Sequence, residues 1–135
     1  MPNPANSTAY ALGDGRMAVD VTEAKTLSVD DSGYVQNVTY TSGVVTLPAT
    51  ATLGTWTIRN KGLSPTSGAA GAVSGGNSVS VSPNANDLIS GGVTGTAVDN
   101  KDLVTTELGA EVTVTNGATN GAVVTQIKGA WTREA

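Results

Sequence analysis

Three residue types are missing from this chain: cysteine, histidine and phenylalanine. Without cysteine there is no disulfide, no thiolate nucleophile and no cysteine zinc site. Without histidine, Ser-His-Asp and Cys-His catalysis are excluded, together with most transition-metal sites. Lack of phenylalanine, with aromatics at 4% of 135 residues, leaves an apolar content built largely of Ala and Val. Such side chains bury less area each, at about 25 cal/mol per Å², and a chain of this size buries only a modest share of its surface. The missing burial is expected from a neighbouring subunit or a larger partner surface.

Charge is also scarce. Only 13% of residues are charged and the net charge is −4. That balance speaks against nucleic-acid binding, which needs a basic face to displace counterions from phosphates. The cationic side chains are scattered from Arg16 to Arg133, with Arg59 and Lys61 the only close pair. No apolar run approaches the roughly 20 residues that cross a bilayer. The opening "MPNPANSTAY" has neither the basic nor the apolar segment of a secretory signal. Neither a nucleic acid nor a membrane is expected as a partner.

What is present is alternation punctuated by turns. Strands are predicted at "TLSVD" (26–30), "YVQNVTY" (34–40), "VVTL" (44–47), "TWTIRN" (55–60), "SVSVSP" (78–83), "LVTTE" (103–107), "EVTVTN" (111–116) and "AVVTQIK" (122–128). Val79 and Val81 fall on one face against Ser78, Ser80 and Ser82; Val112 and Val114 oppose Thr113 and Thr115. Period-two alternation of this kind marks a sheet with one buried face. "DDSG" (30–33) and "TSG" (41–43) read as turns, and "NGATNG" (116–121) as a hairpin in which either Asn-Gly pair supplies left-handed residues. Pro48 ends its strand, having no N–H for a ladder. Many short strands at regular spacing predict an all-β, antiparallel β-sandwich or small barrel-like domain over 23–135.

Two regions lie outside that pattern. Residues 1–22 carry Pro2, Pro4, Gly13 and Gly15 and read as an extended N-terminal arm, because Pro2 and Pro4 favour extended chain and cannot donate to a ladder. Pro2, Pro4, Tyr10, Leu12 and Met17 are the candidate docking residues of this arm; a leader with no role is the plain alternative. Residues 62–77, "GLSPTSGAAGAVSGGN", form a long Gly/Ser/Ala-rich loop, either an exposed tip or a segment packed on another subunit.

Signs of chemistry are weak. Asp99, Asn100 and Asp102 cluster in "VDNKD", but Lys101 opposes a cation and the register of a calcium loop is missing, so a solvated turn is expected and no metal. Asp30, Asp31 and Asp87 read as turn residues whose carboxylates bond nearby N–H groups. No Gly-Lys-Ser/Thr follows the glycine runs as a phosphate loop requires. The sequons at 6–8 and 37–39 read as coincidence. Arg59 and Lys61 read as a solvated strand end. Trp56, Ile58, Val123, Ile127 and Trp131 are the candidate core or subunit-interface anchors, being among the few large apolar side chains present. No catalytic residue, no cofactor and no enzymatic activity are expected.

The stretch "KTLSVDDSGYVQNVTYTSGVVTLPATATLGTWTIRNKG" resembles a recurrent pattern of bacteriophage virion proteins. The matching residues are Thr26, Leu27, Asp31, Ser32 and Gly33, then Val45, Leu47 and Pro48, then Gly54, Ile58, Asn60 and Gly62. Downstream, "VSVSPNANDLISGG" resembles the continuation of that pattern. The resemblance covers about residues 25–92, and its residues are mostly turn-formers. It implies an all-β module of the kind found in capsid decoration proteins, head fibres and fibre tips, which usually trimerise. The expectation is a non-enzymatic decoration or cement protein on the outer capsid surface, its partners the major capsid protein and copies of itself, a trimer first and a dimer second. A glycan-binding fibre tip and a small hydrolase domain are the competing classes.

Overall fold

The computed structural model describes residues 9–39, 43–61, 78–85, 87–93, 101–118 and 120–134. Pro2, Pro4, the loop over 62–77, Asp99 and Asn100 lie outside the described residues. The strands are β1 (Tyr10–Ala11), β2 (Met17–Val21), β3 (Lys25–Thr26), β4 (Val35–Val38), β5 (Gly43–Thr46), β6 (Thr55–Asn60), β7 (Val79–Ser82), β8 (Leu88–Ser90), β9 (Leu103–Thr105), β10 (Glu111–Ala118), β11 (Gly121–Lys128) and β12 (Thr132–Arg133). They form a seven-stranded sheet in the order β1-β2-β4-β6-β10-β11-β8 and a five-stranded sheet in the order β12-β9-β7-β5-β3. The fold is an all-β sandwich.

From β2 to β7 the chain alternates between the sheets, one strand in each. β2, β4 and β6 consequently pair in parallel in the larger sheet, with Ala18 opposite Val35 and Val35 opposite Thr57. β3, β5 and β7 do the same in the smaller, with Lys25 opposite Val45 and Val45 opposite Val81. This corrects the antiparallel expectation: both sheets are mixed. Parallel neighbours need a long crossover, and here each crossover carries the strand of the opposite sheet. The later part of the chain is mainly antiparallel: β10 pairs with β6 and β11, and β9 with β7 and β12.

The strand predicted at 26–30 stops at Thr26, and the cause is local. Asp31 accepts from the Ser28 backbone N–H at 3.0 Å, while the Ser28 hydroxyl accepts from the Asp30 N–H at 3.3 Å. These bonds wind Val29–Asp31 into a 3-10 turn, an outcome that competes with a sheet ladder. Gly33 follows at φ +90, as the turn reading requires.

The arm expected over 1–22 is also corrected where it can be seen. Ala18, Val19 and Val21 are buried in β2, which lies between β1 and β4. Met17–Val21 alternates poorly because the adjacent Ala18 and Val19, on opposite faces, are both buried while Asp20 is exposed, and it therefore escapes a period-two search. Between the sheets the core gathers Val21, Leu27, Val38, Val45, Leu47, Trp56, Ile58, Val79, Val81, Ile89, Leu103, Val112, Val114 and Trp131. The alternation of β7 and β10 is as predicted: their valines are buried and Ser80, Ser82, Thr113 and Thr115 are half-exposed.

Candidate docking surfaces

Several turns meet at one end of the sandwich. The Trp56 indole N–H donates to the Ser28 carbonyl at 2.9 Å, fixing the 3-10 turn on the core. Ser32 exchanges hydrogen bonds with the Thr55 backbone, its hydroxyl accepting at 3.1 Å and donating at 3.2 Å. Asn116, buried in β10, directs its side-chain amide at the carbonyls of Pro48, Ala49 and Thr52, at 3.1, 3.0 and 2.9 Å. Asp87 accepts from the Thr50 N–H at 3.2 Å. The segment 48–54 is thus tied to β10 and to Asp87, while 28–33 is tied to β6.

On this knit of turns stand two large apolar side chains in water. Leu53 is 68% exposed and Val29 is 60% exposed. A Cβ placed at Gly117 would lie 3.6 Å from Leu53 Cδ2, so the β10–β11 turn borders the same end. Gly54 lies beneath the Trp56 ring, where a Cβ would come within 2.7 Å. The glycine lets Leu53 project immediately beside a core tryptophan. Apolar anchors on backbone that does not have to be ordered on binding are what a docking contact uses best.

The outer face of the larger sheet is polar. Register places Asp20, Asn37, Arg59, Glu111 and Lys128 in one row across five strands. Tyr10 lies over it: its hydroxyl donates to Asp20 at 2.6 Å and accepts from Asn37 at 2.8 Å and Lys61 at 3.3 Å. Burial opposes the charge on Lys61, but the Tyr10 hydrogen bond and the Asp20 charge outweigh it and raise its pKa. Arg16 reaches Glu111 through two bonds, at 2.8 and 3.1 Å, and Asp14 at 2.8 Å. The bond to Glu111 holds the Arg16 guanidinium above its ordinary value, and the same bond holds the Glu111 carboxyl below its own. Beside the pair a depression of about 310 Å³ is lined by Thr113, Gln126, Ile127 and Lys128. Thr57 and Thr113 share a hydroxyl bond at 2.9 Å, as do Thr55 and Thr115 at 3.0 Å.

At the opposite edge, burial raises the pKa of Asp102, a Ser82 hydrogen bond opposes this, and the Glu134 charge adds to it. Among the described residues, no three of His, Cys, Asp or Glu come together to hold a metal ion.

The sequence-predicted residues separate on this frame. Trp56 and Ile58 are fully buried in the chain's own core, and Trp131 closes the core edge with its indole N–H on the Glu111 and Lys128 carbonyls. Ile127 packs against that core half-buried, whereas Val123 is exposed. Tyr10 spends its hydroxyl within its own sheet, and Leu12 and Met17 are half-buried there. Asp31, read as a turn residue, is one, but it is also buried and paired with Lys25 at 3.0 Å. Arg59 and Lys61, read as a solvated strand end, are half-buried on the polar row. Asn116 reads from sequence as the end of the strand 111–116 and the start of the hairpin 116–121; its partners lie in a distant loop. Leu53 carried one faint signal, a large apolar residue alone among turn-formers.

No family model matches the chain, and neither does any curated protein.

Proposed function

We propose that this chain is a structural virion protein of a bacteriophage, bound to the outside of the capsid as decoration or cement. The reading begins with the resemblance over residues 25–92 and is carried by one observation: Leu53 and Val29 are exposed on turns pinned to the core by Asn116 and Trp56. In this reading that end docks on the major capsid protein. The described part of the N-terminal segment belongs to the chain's own sheet, so only residues before Ala9 remain for an extended arm. Copies of the chain associate as well, as a trimer, which adds burial to a core short of large side chains. Val123 on β11 is exposed, as are Val44 and Leu108, and these side chains are available for that contact.

The test is addition of purified protein to undecorated capsids, read as occupancy per shell by electron microscopy. Leu53→Glu with Val29→Glu should abolish binding while the far-UV circular dichroism stays that of the parent. Unchanged occupancy of the doubly substituted protein would remove this end from the interface. Failure of the parent protein to bind shells, with binding to host glycans, would replace decoration by the fibre-tip function.

A further inference from the structure

We propose that Lys25 and Gln36 join in a spontaneous intramolecular isopeptide bond, with Asp31 as the proton carrier. The three residues meet between the sheets. Lys25 stands opposite the fully buried Val45, so its side chain enters the core space from the smaller sheet. Gln36 stands opposite Val19 and Ile58 in the larger sheet and is itself fully buried. The Lys25 amine lies 2.7 Å from Gln36 Oε1 and 3.0 Å from Asp31 Oδ1. The other carboxylate oxygen of Asp31 is held by the Ser28 N–H and hydroxyl, which fixes Oδ1 towards the amine.

The Gln36 amide nitrogen identifies the reaction. It is buried and has no hydrogen-bond partner among the described residues, an unfavourable state for a polar group. That nitrogen is the leaving group of a transamidation, and its departure removes the unpartnered group. An amine, a carboxamide and a carboxylate held together in a water-poor space also gain the large effective concentration of an intramolecular reaction. Lys25 Nζ gives one proton to Asp31 and adds to Cδ of Gln36. The tetrahedral intermediate passes a second proton from Nζ to Nε2, and the Cδ–Nε2 bond breaks. Ammonia leaves, takes the proton from Asp31 and departs as ammonium, so Asp31 is regenerated. A depression of about 320 Å³ is bordered by the segment from Asp20 to Lys25. The product is an amide cross-link between β3 and β4, and hence between the sheets, in a chain with no cysteine to provide one.

Intact mass of the full-length protein under denaturing conditions tests this, followed by tryptic mapping. The expected mass is that of the sequence less one ammonia, with no cleavage after Lys25 and the peptides bearing Lys25 and Gln36 joined. Asp31→Asn and Lys25→Arg should restore the full mass. Should either fail to fold, the map of the parent protein decides alone. Full sequence mass in folded parent protein after prolonged warm incubation would overturn the proposal. So would loss of water, which makes Asp31 the acyl donor, and so would ammonia loss mapping to Asn116-Gly117 or Asn120-Gly121 as a succinimide.

Discussion

The wound half of the molecule, β2 to β7, and the half from β9 to β12 solve the same problem differently. In the wound half each strand finds its ladder partner only after the chain has crossed to the other sheet and returned, as Val35 does with Ala18 and Thr57. In the later half β10 and β11 pair across a tight turn in which Asn120 takes φ +61 and Gly121 φ +148. The hairpin can form from its own turn chemistry. The wound half requires both sheets at once, and its strands become stable only when the space between them is filled. Non-local pairing of this kind is slow and cooperative. The molecule therefore concentrates its largest core side chain, Trp56, where the winding most needs filling.

Removing that side chain should have the largest effect. Trp56→Ala should cost about 3–5 kcal/mol, the range for a large buried aromatic, measured by urea unfolding. Trp131→Ala, at the core edge, should cost less; the reverse order would break the comparison. Next comes the junction at which β8 returns to pair in parallel with β11. A Cβ at Gly121 would lie 2.0 Å from the Leu88 carbonyl oxygen. Gly121→Ala should therefore detach β8, with a cost of about 1–3 kcal/mol from backbone strain and fast hydrogen exchange at Ile89.

Asn116 ties the hairpin half to the wound half. Asn116→Ala removes a donor from the Pro48, Ala49 and Thr52 carbonyls, of which Ala49 keeps the Thr52 N–H, and should cost about 1–3 kcal/mol, with proteolytic cutting appearing within 48–54. Unchanged resistance to proteolysis would mean that the loop is held from elsewhere. The smallest effect belongs to Arg16 and Glu111, which join the β1–β2 turn to β10. The Glu111 carboxyl is held below its ordinary value in the folded chain. Its contribution is therefore complete above the unfolded glutamate pKa of about 4.3 and is lost as pH falls through the lower folded value. Arg16→Gln should destabilise by no more than about 1 kcal/mol at neutral pH, and the difference from the parent should vanish in acid. A difference that persists at low pH would assign the effect to packing of the Arg16 stem.

The two halves also differed in how much could be read from sequence. Strands β6, β7 and β10 are legible because one face of each is buried, so valine or tryptophan alternates with serine or threonine, whereas β11, with Val123 and Val124 adjacent, shows only β-branched content. β4 is buried on both faces and β2 on both faces at Ala18 and Val19; β4 is legible through its β-branched content, whereas β2 reads as arm. β1, β8 and β12, two or three residues each, are too short for any period to show. Parallel pairing was invisible because a period says which face is buried and nothing about the neighbour. The end carrying Leu53 and Val29 depends on contacts between segments far apart in the chain, Asn116 with 48–52 and Trp56 with Ser28, which no local pattern encodes.

Stoichiometry in purified virions tests the functional reading most directly. On the proposed reading, quantitative mass spectrometry of virions that carry this chain should find it in copy numbers comparable with the major capsid protein, and release it when the shell's outer surface is stripped. A handful of copies per particle, or none, would contradict capsid decoration.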